Sequence, residues 1–243
     1  MSRYQMKIII PINDSAYNAE MTQLAQAAAP PDVRVEVANI TQGNSSIESR
    51  WDRMVNAPYV VELALAAEAE GCHGILVSDF DYCGVEAARE VVSVPVIGGF
   101  RPNVFTAMSL GQRFSIITVL ASVVDMQREH VRSFGIEPNF ASIIPVNLPV
   151  HELTQRDKVI QRVYECSIKA IDEDGADTIV LGCTGFNYIA GPVATKLRQR
   201  YGVNVPVMDP NVAAINYLYL LMHTGQSQSR LSYHVPPNFS VQH

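Results

Sequence analysis

Two stretches of the sequence place reactive side chains directly after apolar segments. The stretch "IVLGCTGF" leads into Cys183, and "ILVSDFDYCG" leads into Asp79 and, four residues later, Cys83. Thiolates and carboxylates both act as bases, and burial or amide hydrogen bonds shift their pKa values. The small residues around Cys183 let a ligand approach the backbone, whose N–H groups can bind an anion. Cys183 is therefore a candidate acid/base or nucleophile. The alternative is a buried structural thiol, because free cysteines are often buried.

The same two stretches align with each other. Setting "EAEGCHGILVSD" over "DEDGADTIVLGC" pairs Asp79 with Cys183 at a constant offset of 104 residues. Downstream, "VPVIGG" parallels "VPVMDP". Upstream, "KIIIPIN" parallels "FSIITVL", which puts Asn13 and Thr118 at similar strand ends. The chain therefore reads as two similar halves, unless two generic strand–helix units resemble each other by chance.

Apolar strand-like segments alternate with helical ones along the whole chain. This order predicts βαβ crossovers, and hence parallel sheets flanked by helices. Together with the repeat, it predicts an α/β fold of two pseudo-symmetric lobes, residues 1–98 plus 209–243 and residues 99–208. Ligands bind at the carboxyl ends of parallel strands, so we expect the active site in the cleft between the lobes. The polar tail, residues 225–243, is expected to be a loose extension or an arm onto a neighbour.

Composition narrows the classes of protein. The 243 residues carry a net charge of −6 and no long basic run, which argues against nucleic-acid binding. No stretch approaches the ~18 apolar residues of a membrane span. The four cysteines show no zinc-binding spacing, so we expect free thiols, no metal and a cytoplasmic protein.

Several motifs, in order, resemble the aspartate/glutamate racemase superfamily, nearest the hydantoin and allantoin racemases. They are "SSIESRWD" with "APYVVELALAAEAEG", "GVEAAREVVSVPVIG", "LGQRFSIIT", and "IVLGCTGF" with "PVMDPNVAA". The resemblance extends over residues 6–223. It implies a two-lobe fold, a small-molecule substrate, and neither metal nor organic cofactor; we also expect a homo-oligomer. In the racemases two cysteines flank the substrate, one per lobe, and Cys183 matches the second.

The sequence departs from this family at the first cysteine. Aligning "SDFDYCG" with the family pattern A-C-F-G-D-P-G puts Asp79 where that cysteine belongs, and Cys83 where proline is usual. Asp79 then has three interpretations. It replaces the thiol as acid/base, it orients water or ligand while Cys183 acts alone, or it is structural and caps the next helix.

The resemblance also suggests which residues bind the substrate. Asn13 ends the first strand of its lobe, Ser46 and Ile47 lie in a segment like the one that covers the substrate, and Thr118 ends the first strand of the second lobe. The full set of predicted substrate-binding residues is Asn13, Ser46, Ile47, Ser78, Phe80, Thr118, Val119, Thr184, Gly185 and Phe186.

We therefore expect a cofactor-independent racemase or isomerase of a small carbonyl-activated substrate, of hydantoin or allantoin type, that uses Cys183 and Asp79. A thiol near pKa 8.5 and a carboxyl near about 3.9 are unequal partners in water, which would suit a one-directional reaction better. The alternatives are a decarboxylase-like lyase or a hydrolase with Cys183 as its only thiol, or a ligand-binding relative without catalysis.

Overall fold

The computed structural model describes residues 2–239. The chain forms two compact units. Unit 1 comprises the described residues up to Ile47, Trp51–Gly98, and those from Ala214 onward; unit 2 comprises Glu48–Arg50 and Gly99–Ala213.

Unit 1 is built on a parallel sheet of four strands in the order β2-β1-β3-β4. Its buried strands are short runs of Ile, Leu and Val, the composition of strands that are covered on both faces. Its elements are β1 (Tyr4–Ile10), α1 (Asn18–Ala28), β2 (Val33–Asn39), α2 (Arg50–Ala69), β3 (Gly74–Val77), α3 (Val85–Val91) and β4 (Val96–Ile97).

Unit 2 repeats this architecture with the order β6-β5-β7-β8, again all parallel. Its elements are α4 (Phe100–Leu110), β5 (Phe114–Thr118), α5 (Val124–Ser133), β6 (Phe140–Pro145), α6 (Arg156–Asp172), β7 (Thr178–Leu181), α7 (Ala190–Tyr201) and β8 (Val207–Met208). The last helix, α8 (Pro210–Thr224), begins in unit 2 and continues in unit 1. The predicted α/β fold with two parallel sheets is confirmed, although the sequence pattern had indicated no strand at β6.

The internal repeat is present in the strand register. Strands β3 and β7 are offset by 104 residues at both ends. Ile75 pairs with Val96 in unit 1, and Ile179 pairs with Val207 in unit 2. The first residue after each strand donates its amide to the neighbouring strand: Ser78 N to Ile9 O at 2.8 Å, and Gly182 N to Ile117 O at 2.7 Å. The internal repeat predicted from the sequence is therefore confirmed.

One part of the sequence alignment is wrong. Ile9 pairs with Val77 and Ile117 with Leu181, so the counterpart of Thr118 is Ile10 and not Asn13. Asn13 lies three residues beyond the end of β1. The apolar runs of β1 and β5 carry no distinctive residue to anchor their alignment, so only the hydrogen-bonded register decides it.

Between residues 227 and 233, the C-terminal tail is not a loose extension. Residues 227–233 hydrogen-bond the end of α3 and the segment that leads into β4, chiefly through Gln228 and Arg230. The predicted tail extends to residue 243, and residues 240–243 lie outside the described part of the chain. Within residues 2–239, no helix combines the length and apolar character needed to cross a membrane.

Candidate functional site

Asp79 is the second residue after β3, at the carboxyl edge of the sheet of unit 1. Its side chain is buried, and its Oδ2 accepts the amide N–H of Cys83 at 2.7 Å. The amides of Phe80 and Asp81 also donate to the carboxylate. The loop of residues 79–83 thus folds around the Asp79 carboxylate. Asp79 therefore shapes this turn, and the backbone N–H groups of the loop stabilise its negative charge.

Burial is the main influence on the ionisation of Asp79, and it raises the pKa of this carboxyl above its ordinary value. The loop amides and the positive charge of Arg53 act in the opposite direction without cancelling it. Arg53, on α2, also donates from Nη1 to the Asp81 carbonyl at 3.1 Å. The sequence reading missed Arg53, because nothing local shows that it lies beside residues 28 positions later in the chain.

Cys83 is a neutral, buried thiol. Its side chain is inaccessible, and its Sγ donates to the Arg53 carbonyl at 3.4 Å. Burial raises the pKa of the Cys83 thiol strongly, and the charge of Asp79 raises it further. A thiol held neutral in this way is a poor nucleophile, since thiolate is the reactive form.

Cys183 is the second residue after β7, the position in unit 2 that Asp79 holds in unit 1. It is partly exposed, whereas the other three cysteines are buried. Its Sγ accepts the amide N–H of Gly185 at 3.3 Å. Asp79 receives the corresponding N–H from Asp81, also two residues on. The two candidate acid/base groups therefore share a local geometry in which a backbone N–H supports the anion.

Gly182 determines the position of the backbone immediately before Cys183. Its carbonyl accepts the Gln127 side-chain amide at 2.9 Å and the Thr118 hydroxyl at 3.4 Å, both from within unit 2. A Cβ at this position would lie 2.6 Å from Cγ2 of Ile116, so only glycine fits against β5. The sequence signal for Gln127 was a single polar residue on the buried face of an otherwise amphipathic α5.

The side-chain amides of Asn187 and Asn211 stabilise the loop after Cys183. Asn211 donates from Nδ2 to the Thr184 carbonyl and to Asn187 Oδ1, at 2.8 Å each. Asp209 in turn accepts the amides of Asn211 and Val212 at 3.0 Å, which caps the start of α8. Burial raises the pKa of the Asp209 carboxyl. The turn carrying Cys183 is therefore tied to the first turn of a long helix.

In unit 1, the segment with Ser46 and Ile47 is anchored by a residue that the sequence did not single out. Asn56 is fully buried, donates to Pro11 O at 2.8 Å and to Asn44 O at 3.1 Å, and accepts the Asn44 amide at 2.7 Å. Asn13 donates its own amide to Asn44 O at 2.9 Å. The structure therefore brings Asn13 together with the base of the 44–47 segment.

The remaining predicted binding residues differ in exposure. Phe80, Val119 and Phe186 are buried, and the last two belong to the hydrophobic core of unit 2. Ser78 and Thr118 are buried polar residues. Ser46, Ile47, Thr184 and Gly185 are partly accessible, and Asn13 is exposed. Substrate contact by each of these residues stays a prediction, and the buried aromatic side chains have clear packing roles.

Together these features define a class: α/β proteins of two similar units, each with an ionisable side chain two residues beyond its third strand in chain order. Across residues 2–239, no group of three or more His, Cys, Asp or Glu side chains could hold a metal ion.

Comparison with known proteins identifies the family. The sequence profile of the Asp/Glu/Hydantoin racemase family matches residues 11–218, and the chain belongs to that family. The hydantoin racemase of Rhizobium meliloti is 29% identical over 235 residues, covering 96% of this chain and 95% of that one. The hydantoin racemase of Pseudomonas sp. (strain NS671) is 28% identical over 228 residues, covering 93% and 89%. The structure of allantoin racemase from Klebsiella pneumoniae is similar at a TM-score of 0.90 and 28% identity, covering 99% and 96%.

Proposed function

We propose that this protein is a cofactor-independent racemase of a compound with a hydantoin ring, with Cys183 and Asp79 as its two acid/base groups. The observation that carries the proposal is their equivalent placement. Each follows the third strand of its unit by two residues and accepts the N–H of the residue two positions on. The similarity to hydantoin and allantoin racemases supplies the substrate class, because allantoin is itself a substituted hydantoin.

The chemistry needs no external reagent. The C5–H bond of the hydantoin breaks, its electron pair moves into the adjacent carbonyl as an enolate, and the proton passes to one group. The other group then donates a proton to the opposite face of C5. For one enantiomer Asp79 is the base and the Cys183 thiol is the acid; for the other, the Cys183 thiolate is the base and protonated Asp79 is the acid.

The environment of Asp79 supports its role as base for one enantiomer and as acid for the other. Burial raises its pKa, which brings an ordinary carboxyl closer to the range of a thiol. The loop amides and Arg53 still stabilise the carboxylate, so the group keeps access to its charged form. The pKa of this buried carboxyl is therefore closer to that of a thiol than the reference pKa values in water suggest.

The test is deuterium exchange in heavy water with each enantiomer of a 5-substituted hydantoin and of allantoin. We expect loss of optical activity, with one deuterium at C5 of the product. Cys183→Ser and Asp79→Asn should each slow racemisation by about 10²–10⁴-fold, the usual contribution of one acid/base group. Cys166→Ala, which removes a buried thiol of α6, is the matched control and should retain activity.

The other outcomes separate the alternatives. A change of substrate mass beyond deuterium would indicate a lyase or hydrolase, which the named relatives do not favour. Full activity in Asp79→Asn would mean that Cys183 works without it. Ligand binding without exchange, unaffected by Cys183→Ser, would show a binding protein and refute the proposal.

A further inference from the structure

The segment of residues 227–233, here called the C-terminal clasp, closes over the end of α3. Gln228 donates from Nε2 to the carbonyls of Val92 and Val94 at 2.7 and 3.0 Å. Arg230 donates from Nη1 to the carbonyls of Arg89 and Glu90 at 2.9 and 3.0 Å. These carbonyls lie in the last turn of the helix and just beyond it, where backbone acceptors lack partners within the helix. The clasp therefore serves as the C-cap of α3.

Arg89 connects the clasp to the interior of unit 1. Its side chain is buried, its Nε donates to the Val96 carbonyl at 2.8 Å, and its Nη1 donates to the Tyr233 hydroxyl at 2.9 Å. The guanidinium also lies over two aromatic rings, 5.2 Å from the centroid of Tyr233 and 5.8 Å from that of Tyr82. A buried cation needs such partners, so removing Tyr233 takes from Arg89 both an acceptor and an aromatic face.

Tyr82 belongs to the loop that forms around Asp79. Its φ of 65° lies in the left-handed region, which costs energy for a bulky residue and must be held by its surroundings. Arg89 lies against one part of the ring. A Cβ added to Gly98, the residue after β4, would be 3.4 Å from both Tyr82 Cδ2 and the Asp79 carbonyl oxygen, so the chain at the end of β4 approaches this loop closely. Cys83, the next residue, donates its amide to Asp79.

We propose that the C-terminal clasp, acting through Arg89 and Tyr82, positions the 79–83 loop so that its amides face the Asp79 carboxylate. Tyr233, Arg89 and Tyr82 are positioning residues in this scheme. The proposal rests on the proposed function for its catalytic consequence, but its structural part does not depend on the substrate.

The structural part is tested by thiol labelling of the full-length protein with N-ethylmaleimide, followed by peptide mapping. In the wild type Cys183, the one partly exposed thiol, should react first. In Tyr233→Ala we expect labelling of Cys83 to accelerate by at least about 10-fold, the effect of losing a cation–π contact and a hydrogen bond from a charged donor. Cys72, buried elsewhere in unit 1, and Cys166 should stay protected.

Two further variants sharpen this experiment. Tyr233→Phe keeps the ring over Arg89 and should restore most of the protection of Cys83. Leu231→Ala changes a side chain of the same segment that is 88% exposed, and should behave as wild type. Unchanged labelling of Cys83 in Tyr233→Ala overturns the proposal, and so does an equal rise at Cys72, which would indicate general loosening of unit 1.

The catalytic part is tested by the pH dependence of hydantoin racemisation. The titratable or charged groups around Asp79 are Arg53 from α2 and Asp81 and Cys83 from its own loop, with Tyr82 and Arg89 behind them. If the loop relaxes, the Asp79 carboxylate loses amide donors, which lower its pKa, and also part of its burial, which raises it. We therefore expect the acidic limb of the pH–rate profile to change position. We expect kcat to fall by up to about 100-fold with little change in KM. If Cys83 becomes exposed in Tyr233→Ala while the pH–rate profile and kcat stay unchanged, the clasp has no catalytic role and this part of the proposal is overturned. If the wild type lacks racemisation, the labelling result still decides whether the clasp holds the loop.

Discussion

Gly182 offers a sharp test of how the fold places Cys183. Replacing it with alanine adds one Cβ at the junction between β7 and the candidate thiol. That atom would lie 2.6 Å from Ile116 Cγ2, 2.9 Å from Gln127 Oε1 and 3.3 Å from the Ile117 carbonyl. The closest contact is about 1 Å shorter than the usual separation between carbon atoms. Because Ile116 is a fully buried β-branched residue of β5, it cannot rotate away easily.

The expected cost follows from this overlap. Adding a methyl group to a well-packed core destabilises by about 1–3 kcal/mol. For a protein of this size, that lowers the melting temperature by about 2–12 °C. The strand must shift to relieve the contact, so the Gly182 carbonyl should leave its hydrogen bond with Gln127, and Cys183 should move with it.

The assay is urea unfolding at neutral pH, followed by circular dichroism, with the rate of Cys183 alkylation measured on the folded protein. Gly191→Ala is the matched control, since nothing lies within 4 Å of the added Cβ in α7. The same substitution should stabilise there by about 0.4–1 kcal/mol, because alanine restricts the unfolded chain more than glycine. The two changes should therefore have opposite signs.

A Gly182→Ala protein within about 0.5 kcal/mol of wild type, with normal alkylation of Cys183, would refute this reasoning. It would mean that β5 and β7 are less tightly packed than the structure indicates. Destabilisation by Gly191→Ala would likewise count against the packing described for unit 2.

Two further outcomes are expected in unit 1. Asn56→Ala removes three hydrogen bonds around the base of the 44–47 segment and should cost about 2–3 kcal/mol in urea unfolding. Asn204→Ala, at an exposed position of unit 2, is the control and should cost under about 0.5 kcal/mol; equal effects would contradict the anchoring role of Asn56. The raised pKa of Asp79 implies a stability contribution present below its ordinary value of 3.8 and lost as pH rises through its folded value. The stability of Asp79→Asn relative to wild type should therefore increase from pH 3 to pH 7, and a decrease would show that the native state lowers this pKa.

The regular elements could be predicted from the sequence because their signals are local. Runs such as "GILV" and "TIVL" mark buried strands, glycine and proline mark their ends, and a constant offset of 104 residues relates the two. The same offset pairs Asp79 with Cys183 without reference to coordinates. The edge strand β6 and the equivalence of Thr118 with Ile10 were missed, because neither follows from residue pattern over a short window.

The sequence alone therefore establishes the fold class and its duplication, and it predicts Asp79 and Cys183 as a pair of acid/base residues. The surroundings of these two residues follow from the tertiary structure. Arg53 lies beside the Asp79 loop, Gln127 contacts Gly182 across 55 residues, and Tyr233 meets Arg89 across 144. Such contacts depend on how the chain returns on itself, because a side chain's partners and the burial that shifts its pKa are set by residues far away in sequence.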